Sequence, residues 1–322
     1  MADSIFTVPI EFTSHDGRTR VNAKLWTSTS FGSEAAKSIE APRGVIQIVH
    51  GMAEHIERYD HFARYLVEQG FVVCAEDHIG HGRSAAGEDE LGHMPLADGL
   101  DILVGDVHTL HCMVRARFPE APYVLYGHSM GSLISRVYIT RYGTELSACV
   151  LAGTAHGPIF MSRVGEVLAH LIASVKGDRY RSKFLDSVGV GSYGKKIPDA
   201  RTPLDWLSND PAVVDDYMAD PLSGQMFSVG AYGTLLGLVH AVTSPQWAQA
   251  VPKDLPILFI AGDQDPVGDR GRGVQAAAKL LQDAGVHDVQ VRIYPGLRHE
   301  LHNEAERLEI FGFVVEWIES VI

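Results

Sequence analysis

Residues 123–142, YVLYGHSMGSLISRVYITRY, carry the tightest constraint in the chain. Tyr123-Val124-Leu125-Tyr126 reads as a short buried strand, and Gly131 to Tyr142 reads as a helix. Only a sharp turn joins two such elements, and Ser129 sits at its apex between Gly127 and Gly131. Bulky side chains at 127 and 131 would clash where strand and helix cross, so glycine has a steric reason there. G-x-S-x-G between a strand and a helix is the pattern of a nucleophile elbow, which presents a serine hydroxyl above the end of a strand. The same spacing also describes a Gly-rich turn with a surface serine. The rest of the chain has to choose.

The flanking sequence repeats the strand–helix theme. Ile5–Thr13 and Arg20–Thr27 read as two β segments joined by His15-Asp16-Gly17, and Ser28 to Pro42 reads as a polar loop. Then GVIQIVHG is an apolar strand, RYDHFARYLVEQG an amphipathic helix ended by Gly70, and FVVCAED a further strand. Residues 97–118 carry helical spacing up to Pro119, and ACVLAGTA is the strand after the elbow helix. Near the end come the strand PILFIAGDQD, a helix over Gly271–Ala284, the strand VQVRIYP and a helix over Asn303–Ile322. This alternation predicts an α/β fold: a mostly parallel sheet with helices on both faces and the opening hairpin at one edge.

The alternation stops between Gly157 and Pro252. IFMSRVGEVLAHLIASVKG sets Phe160, Val164, Val167, Leu168, Leu171 and Val175 on one helical face, and MFSVGAYGTLLGLVHAV is a second apolar run loosened by glycines. A segment this long needs helices of its own. The expected organisation is therefore a core of residues 1–156 and 253–322, with residues 157–252 as a helical lid standing over one end of the sheet.

Bulk properties narrow the function. A formal charge of −13 over 322 residues argues against nucleic acid, whose phosphates need a basic face. It also disfavours electrostatic docking on anionic lipid, while apolar contact with a membrane surface stays open. No secretory leader pattern and no bilayer-length apolar run is visible, so the expected location is cytoplasmic. Cys74, Cys112 and Cys149 show no metal or C-x-x-C spacing and read as buried free thiols.

A nucleophilic Ser129 needs a base, a group to orient that base, and donors for an oxyanion. In a parallel sheet these come from loops at the carboxyl ends of strands. Asp263 and Asp265 end one strand, and His299 and His302 follow the last one. The order Ser…Asp…His is that of an α/β-hydrolase. The backbone N–H groups of Met130 and of Met52, in the turn after IVHG, are the candidate oxyanion donors. GVGSYG (189–194) matches G-x-G-x-x-G, but no strand leads into it and no helix leaves it, so it reads as a loop. No histidines show metal-ligand spacing, and neither metal nor cofactor is expected.

HGMAEHIERYDHFARYL, DHIGHGRS, YGHSMGS and GDQDPVG…PGLRHELHNE, in this order, resemble the monoacylglycerol lipase and lysophospholipase branch of the α/β-hydrolases, also labelled serine-aminopeptidase-like. The resemblance runs from about residue 5 to the C-terminus and includes WLSNDPAVVDDYMADPLSG in the 157–252 segment. It implies Ser129 as nucleophile, Asp265 rather than Asp263 as the acid, His299 rather than His302 as the base, and Met52 and Met130 as oxyanion donors. Ser132 and Ala53 depart from the pattern, where glycine is common, without removing a catalytic group. Glu54 and His55 read as structural residues that hold the oxyanion turn.

The expected activity is a serine carboxylic-ester hydrolase working through an acyl-enzyme on a medium- or long-chain acyl ester, such as a monoglyceride or lysophospholipid. The apolar face of the lid would supply the acyl pocket and transient contact with a membrane surface. Two alternatives stand beside it. One is an aminopeptidase-type amide hydrolase, for which Asp215, Asp216 and Asp220 could hold a substrate ammonium, although they read more simply as a solvated cluster. The other is a non-catalytic binding protein on the same fold. A perhydrolase would use the same triad, whereas dehalogenase chemistry is disfavoured because it needs a carboxylate at the elbow. Oligomeric state is not legible.

Overall fold

The computed structural model describes residues 4–28, 41–157 and 159–322, so most of the loop expected over Ser28–Pro42 lies outside the described residues. Eight strands form one sheet in the order β1-β2-β4-β3-β5-β6-β7-β8. They are β1 (Ile5–Thr13), β2 (Arg20–Ser28), β3 (Val45–Val49), β4 (Val72–Glu76), β5 (Tyr123–His128), β6 (Ala148–Ala152), β7 (Ile257–Gly262) and β8 (Val289–Tyr294). Strands β3 to β8 pair in parallel, while β2 is antiparallel to both β1 and β4. The opening hairpin thus forms an antiparallel edge, as its sequence predicts. This is the α/β-hydrolase architecture.

Continuous apolar runs make the central strands, because both faces are covered. Every residue of β3, β5, β6 and β7 is buried. Successive side chains serve opposite layers. Leu125, Cys149 and Phe259 pack under α2 (Gly99–Arg117), α3 (Met130–Tyr142) and α9 (Arg272–Asp283). Val124, Tyr126, Val150 and Ile260 pack against α1 (Asp60–Glu68) and α10 (Arg307–Val321). The last helix begins at Arg307 rather than Asn303, because a 3₁₀ turn at Leu301–Asn303 and the buried Glu304 intervene.

Between β6 and β7 lie α4 (Ile159–Lys176), α5 (Lys183–Val188), α6 (Pro211–Ala219), α7 (Val229–Val242) and α8 (Pro245–Ala250). Local signals start them. Ser182, Asp210, Ser228 and Ser244 each cap a helix by accepting a backbone N–H two or three residues on, and Pro211 and Pro245 occupy the first turns. GVGSYG follows α5 as two short 3₁₀ turns with no strand before it, as its context implies.

The orientation of α4 differs from the simplest reading of its apolar face. Phe160, Val164, Val167, Leu171 and Val175 are 47–79 % exposed. The face turned to α7 is instead the small-residue one. A methyl on Gly165 would lie 3.0 Å from Leu236, and one on Gly233 would lie 3.6 Å from Ala169. Small residues let two helix backbones approach, and the bulky side chains are left outside. Cys74 and Cys149 are buried as expected, whereas Cys112 is exposed on α2, 3.4 Å from His108. Helical spacing alone did not say which side of α2 meets the sheet.

Candidate active site

At the end of β5 the chain turns through Ser129 with φ 52° and ψ −119°. A non-glycine residue held there costs about 1–3 kcal/mol, which the surroundings must repay. They are built to do so. A methyl on Gly131 would lie 1.9 Å from the Val49 carbonyl oxygen, and one on Gly127 would lie 2.3 Å from Ser135 Oγ. The Ser129 amide donates to Ala152 O at 2.9 Å, and the buried Ser132 hydroxyl donates to Ser129 O at 2.6 Å. Serine at 132, where glycine is common, therefore braces the turn instead of loosening it.

Asp265, just past β7, is fully buried, and His299, in the loop after β8, is 2 % exposed. His299 Nδ1 donates to Asp265 Oδ2 at 2.9 Å, which turns Nε2 the other way. Burial by itself would lower the His299 pKa. The Asp265 charge and hydrogen bond, assisted by Glu300 and Glu54, overcome it and raise the pKa above the ordinary value. Gly153, with φ +57°, makes room for the ring, since a methyl there would lie 3.0 Å from His299 Cε1. Sequence reading passed over this glycine; its place directly after a central strand was the available signal. Asp263 instead accepts from the Gly296 amide at 2.7 Å, and His302 is buried beneath Tyr59.

The turn after β3 lies against the elbow, where a methyl on Gly51 would be 3.1 Å from Ser129 Cβ. Met52 and Met130 both line the cavity above. Glu54 does structural work: its Oε1 accepts the Gly51 amide at 2.5 Å and the Tyr59 hydroxyl at 2.7 Å. Burial would raise its pKa, but His128, Arg58 and His302 hold it well below the usual range. Arg58 also donates to Glu300 at 2.5 Å, so one guanidinium joins the turn after β3 to the loop after β8.

Glu54, His128 and His302 bring potential ligand atoms within 4.8 Å of one another. Two of the three are engaged elsewhere, whereas the buried His302 ring nitrogens have no partner among the described residues. Tyr59 Oη sits 2.9 Å from His128 Nδ1, and Arg58 Nε lies 3.3 Å from Glu54, where its charge opposes a cation.

Ser129, His299, Met52 and Met130 share one cavity of about 910 Å³. Its walls are largely apolar, with Leu133, Leu168, Leu235 and Val239 among them, and Met161 and Val164 of α4 contribute at the rim. Residues of the 157–252 segment reach the loop of His299 directly. The His299 amide donates to Trp206 O at 3.4 Å, the Glu300 amide to Leu207 O at 2.7 Å, and the Trp206 ring lies 5.0 Å from His299. Arg136 fastens another wall from below. It is fully buried, donates to Ala155 O at 2.8 Å and Val242 O at 2.6 Å, and packs over Trp247. Desolvation pushes its pKa down to about 9.

Asp215 and Asp216 are exposed, as their reading as a solvated cluster expects, and Asp220 departs from it by turning toward the turn after β3. Asp215 pairs with Arg201 at 2.7 Å, and Asp220 contacts His55 Nε2 at 2.6 Å. Among the described residues, no helix is long and apolar enough to cross a membrane.

Comparison with known proteins agrees with this architecture. Residues 40–306 match the family described as serine aminopeptidase, S33. The monoacylglycerol lipase of Mycolicibacterium smegmatis is 35 % identical over 285 residues, covering 87 % of this chain and 89 % of that one. The human monoglyceride lipase is 25 % identical, with 88 % and 85 % covered. A thermostable carboxyl esterase from Bacillus coagulans, solved in complex with glycerol, superposes with a TM-score of 0.88 at 35 % identity over 98 % of both chains. The chain belongs to the serine aminopeptidase S33 family of α/β-hydrolases, in its monoacylglycerol lipase-like branch, and is a carboxylic ester hydrolase.

Proposed function

We propose that the protein hydrolyses medium- or long-chain acyl esters of the monoglyceride or lysophospholipid type through Ser129, His299 and Asp265. The observation that carries this reading is the buried His299–Asp265 hydrogen bond, 2.9 Å long, beside an elbow serine in the same apolar cavity. His299 Nε2 takes the Ser129 proton as Oγ attacks the acyl carbon, then delivers it to the departing alcohol. Asp265 holds the tautomer and stabilises the imidazolium. The N–H groups of Met52 and Met130 receive the oxyanion, each donor being worth about 3 kcal/mol in the transition state. Water, deprotonated by His299, then releases the acid.

A cavity of about 910 Å³ with leucine- and valine-rich walls suits an acyl chain better than a small acid. In this reading residues 157–252 act as a lid over a core of 1–156 and 253–322. The exposed Phe160, Val164, Val167, Leu171 and Val175 of α4 meet a lipid surface, from which the substrate enters. Three free thiols, Cys74, Cys112 and Cys149, suit a reducing compartment such as the cytoplasm. Amide hydrolysis of the aminopeptidase type stands second. Of the carboxylates on the cavity wall, Glu54 and Glu300 pair with Arg58 and Asp269 with Arg272, which leaves these three poorly placed for a substrate ammonium, while Asp186 accepts the Tyr232 hydroxyl at 2.6 Å. A purely binding role would make no use of a strained serine and a carboxylate-paired histidine lining one cavity.

The test is hydrolysis of p-nitrophenyl esters from acetyl to palmitoyl, followed by monoglycerides and lysophospholipids, with Ser129→Ala beside the wild type. The proposal expects activity that rises beyond short chains and vanishes in the variant. Equal inertness of both proteins on every ester, with cleavage of amino-acyl arylamides, would favour the second reading.

A further inference from the structure

The oxyanion turn is held from two directions, and only one of them belongs to the sheet. From the core, Gly51 N–H is fixed by Glu54 at 2.5 Å and Ile56 N–H by Asp77 at 2.9 Å. Between them Ala53 sits at φ 52°, the left-handed region that an alanine leaves when nothing holds it. What holds it comes from α6 and the loop that follows it. Ala53 O accepts the Tyr217 hydroxyl at 2.9 Å and the Gly224 amide at 2.9 Å. Two residues on, His55 Nε2 meets Asp220 at 2.6 Å, and Asp220 is itself fixed by the Leu222 amide and the Ser223 hydroxyl, both at 2.9 Å. Tyr217 is buried, with the Arg58 guanidinium 4.7 Å from the centre of its ring.

The peptide units one step outside those that flank Met52 are therefore pinned, His50–Gly51 by Glu54 and Ala53–Glu54 by Tyr217 and Gly224. We infer that Tyr217 and Asp220 are positioning residues for the reaction: they hold the Ala53 carbonyl and His55, and through them aim the Met52 N–H at the oxyanion. This rests on the proposed role of Met52 and deepens it. The donor is completed by the 157–252 segment and not by the core alone. A docked segment gives a working hole, and a displaced one leaves Ala53 free to relax.

The test compares wild type with Tyr217→Phe, which removes only the hydroxyl, with Asp220→Asn, and with Asp220→Glu as the conservative rescue. Wild type is first labelled with a fluorophosphonate at Ser129. If it does not label, the catalytic reading itself fails, and this inference with it. In a labelling enzyme, Tyr217→Phe and Asp220→Asn should each lower kcat about tenfold with KM within twofold. Inhibition by an alkylboronic acid, whose tetrahedral adduct places an oxygen in the hole, should weaken by the same factor. Binding of a non-hydrolysable ether analogue and the Tm should stay unchanged, and Asp220→Glu should recover part of kcat. The inference is overturned if kcat and boronate inhibition stay within twofold of wild type. It is equally overturned if the ether analogue loses affinity in the same proportion, or if Tm falls with kcat in both Tyr217→Phe and Asp220→Asn.

Discussion

Asp265 and His299 lie 34 residues apart in the chain and 2.9 Å apart in the fold, both sealed from solvent. The pairing fixes the pH behaviour of the base. In the proposed mechanism only neutral His299 accepts the serine proton, so activity should be lost as pH falls through its pKa. That pKa lies above the ordinary 6.5, so the acid limb of kcat/KM should lie above pH 6.5. In Asp265→Asn burial remains and the charge is gone, so the limb should move to lower pH while kcat falls about 10⁴-fold. An unshifted limb in the variant would place the raising influence elsewhere.

Gly131→Ala should be among the most damaging single-methyl changes in the protein. The added carbon would meet the Val49 carbonyl at 1.9 Å, and backbone cannot swing aside as a flexible side chain can. The strand–helix crossing would have to open, at about 3 kcal/mol or more. Urea unfolding measures this directly, and a loss below about 1 kcal/mol would contradict the close packing.

Acid should destabilise the fold before it protonates most surface carboxylates. His50 and His302 are held well below the usual imidazole range by burial, which also lowers His78 to about 3 and His81 to about 4. Unfolded histidines take up protons near pH 6.5, so stability present at pH 7 is lost as pH falls toward the folded values. Glu76 and Asp106, raised by burial, Asp106 to about 6, work with the opposite sign and offset part of the loss. The net expectation is a loss of stability between pH 7 and pH 5. Denaturant unfolding at pH 7, 6 and 5 checks it, and a flat profile would contradict it.

Val167 and Leu171 lie on the exposed side of α4 and do not line the catalytic cavity. Val167→Glu with Leu171→Glu should weaken binding to phosphatidylcholine vesicles about tenfold or more, given about 1.5 kcal/mol or more per buried aliphatic side chain. Hydrolysis of dissolved p-nitrophenyl butyrate should stay within twofold. Vesicle co-sedimentation beside that assay separates surface contact from chemistry, and unchanged sedimentation would remove α4 from the membrane contact.

The sheet was legible because its signals are local. Buried runs such as VIQIV need cover on both faces, and glycines at 127 and 131 have a steric reason where a strand and a helix cross. The candidate nucleophile and the choice of strand ends were legible for the same reason. Choosing Asp265 and His299 over Asp263 and His302 was not, since spacing treats the members of each pair alike; family resemblance made the choice. The direction of α4 was hidden because bulky aliphatic residues occur on both of its sides, Leu168 and Ile172 inward and Val167 and Leu171 outward, and the close approach of Gly165 to α7 and of Gly233 to Ala169 decides it. The contact between Asp220 and His55 spans 165 residues of chain, and no periodicity reports a pairing at that distance.

The central claim is that Ser129 is an activated nucleophile. The most direct measurement is intact-mass and peptide-mapped labelling with a fluorophosphonate at neutral pH, for wild type, Ser129→Ala and His299→Ala. The account predicts one adduct per chain, carried by Ser129, absent in Ser129→Ala and slowed at least a hundredfold in His299→Ala. No adduct on wild type, or an adduct that persists in Ser129→Ala, would contradict it.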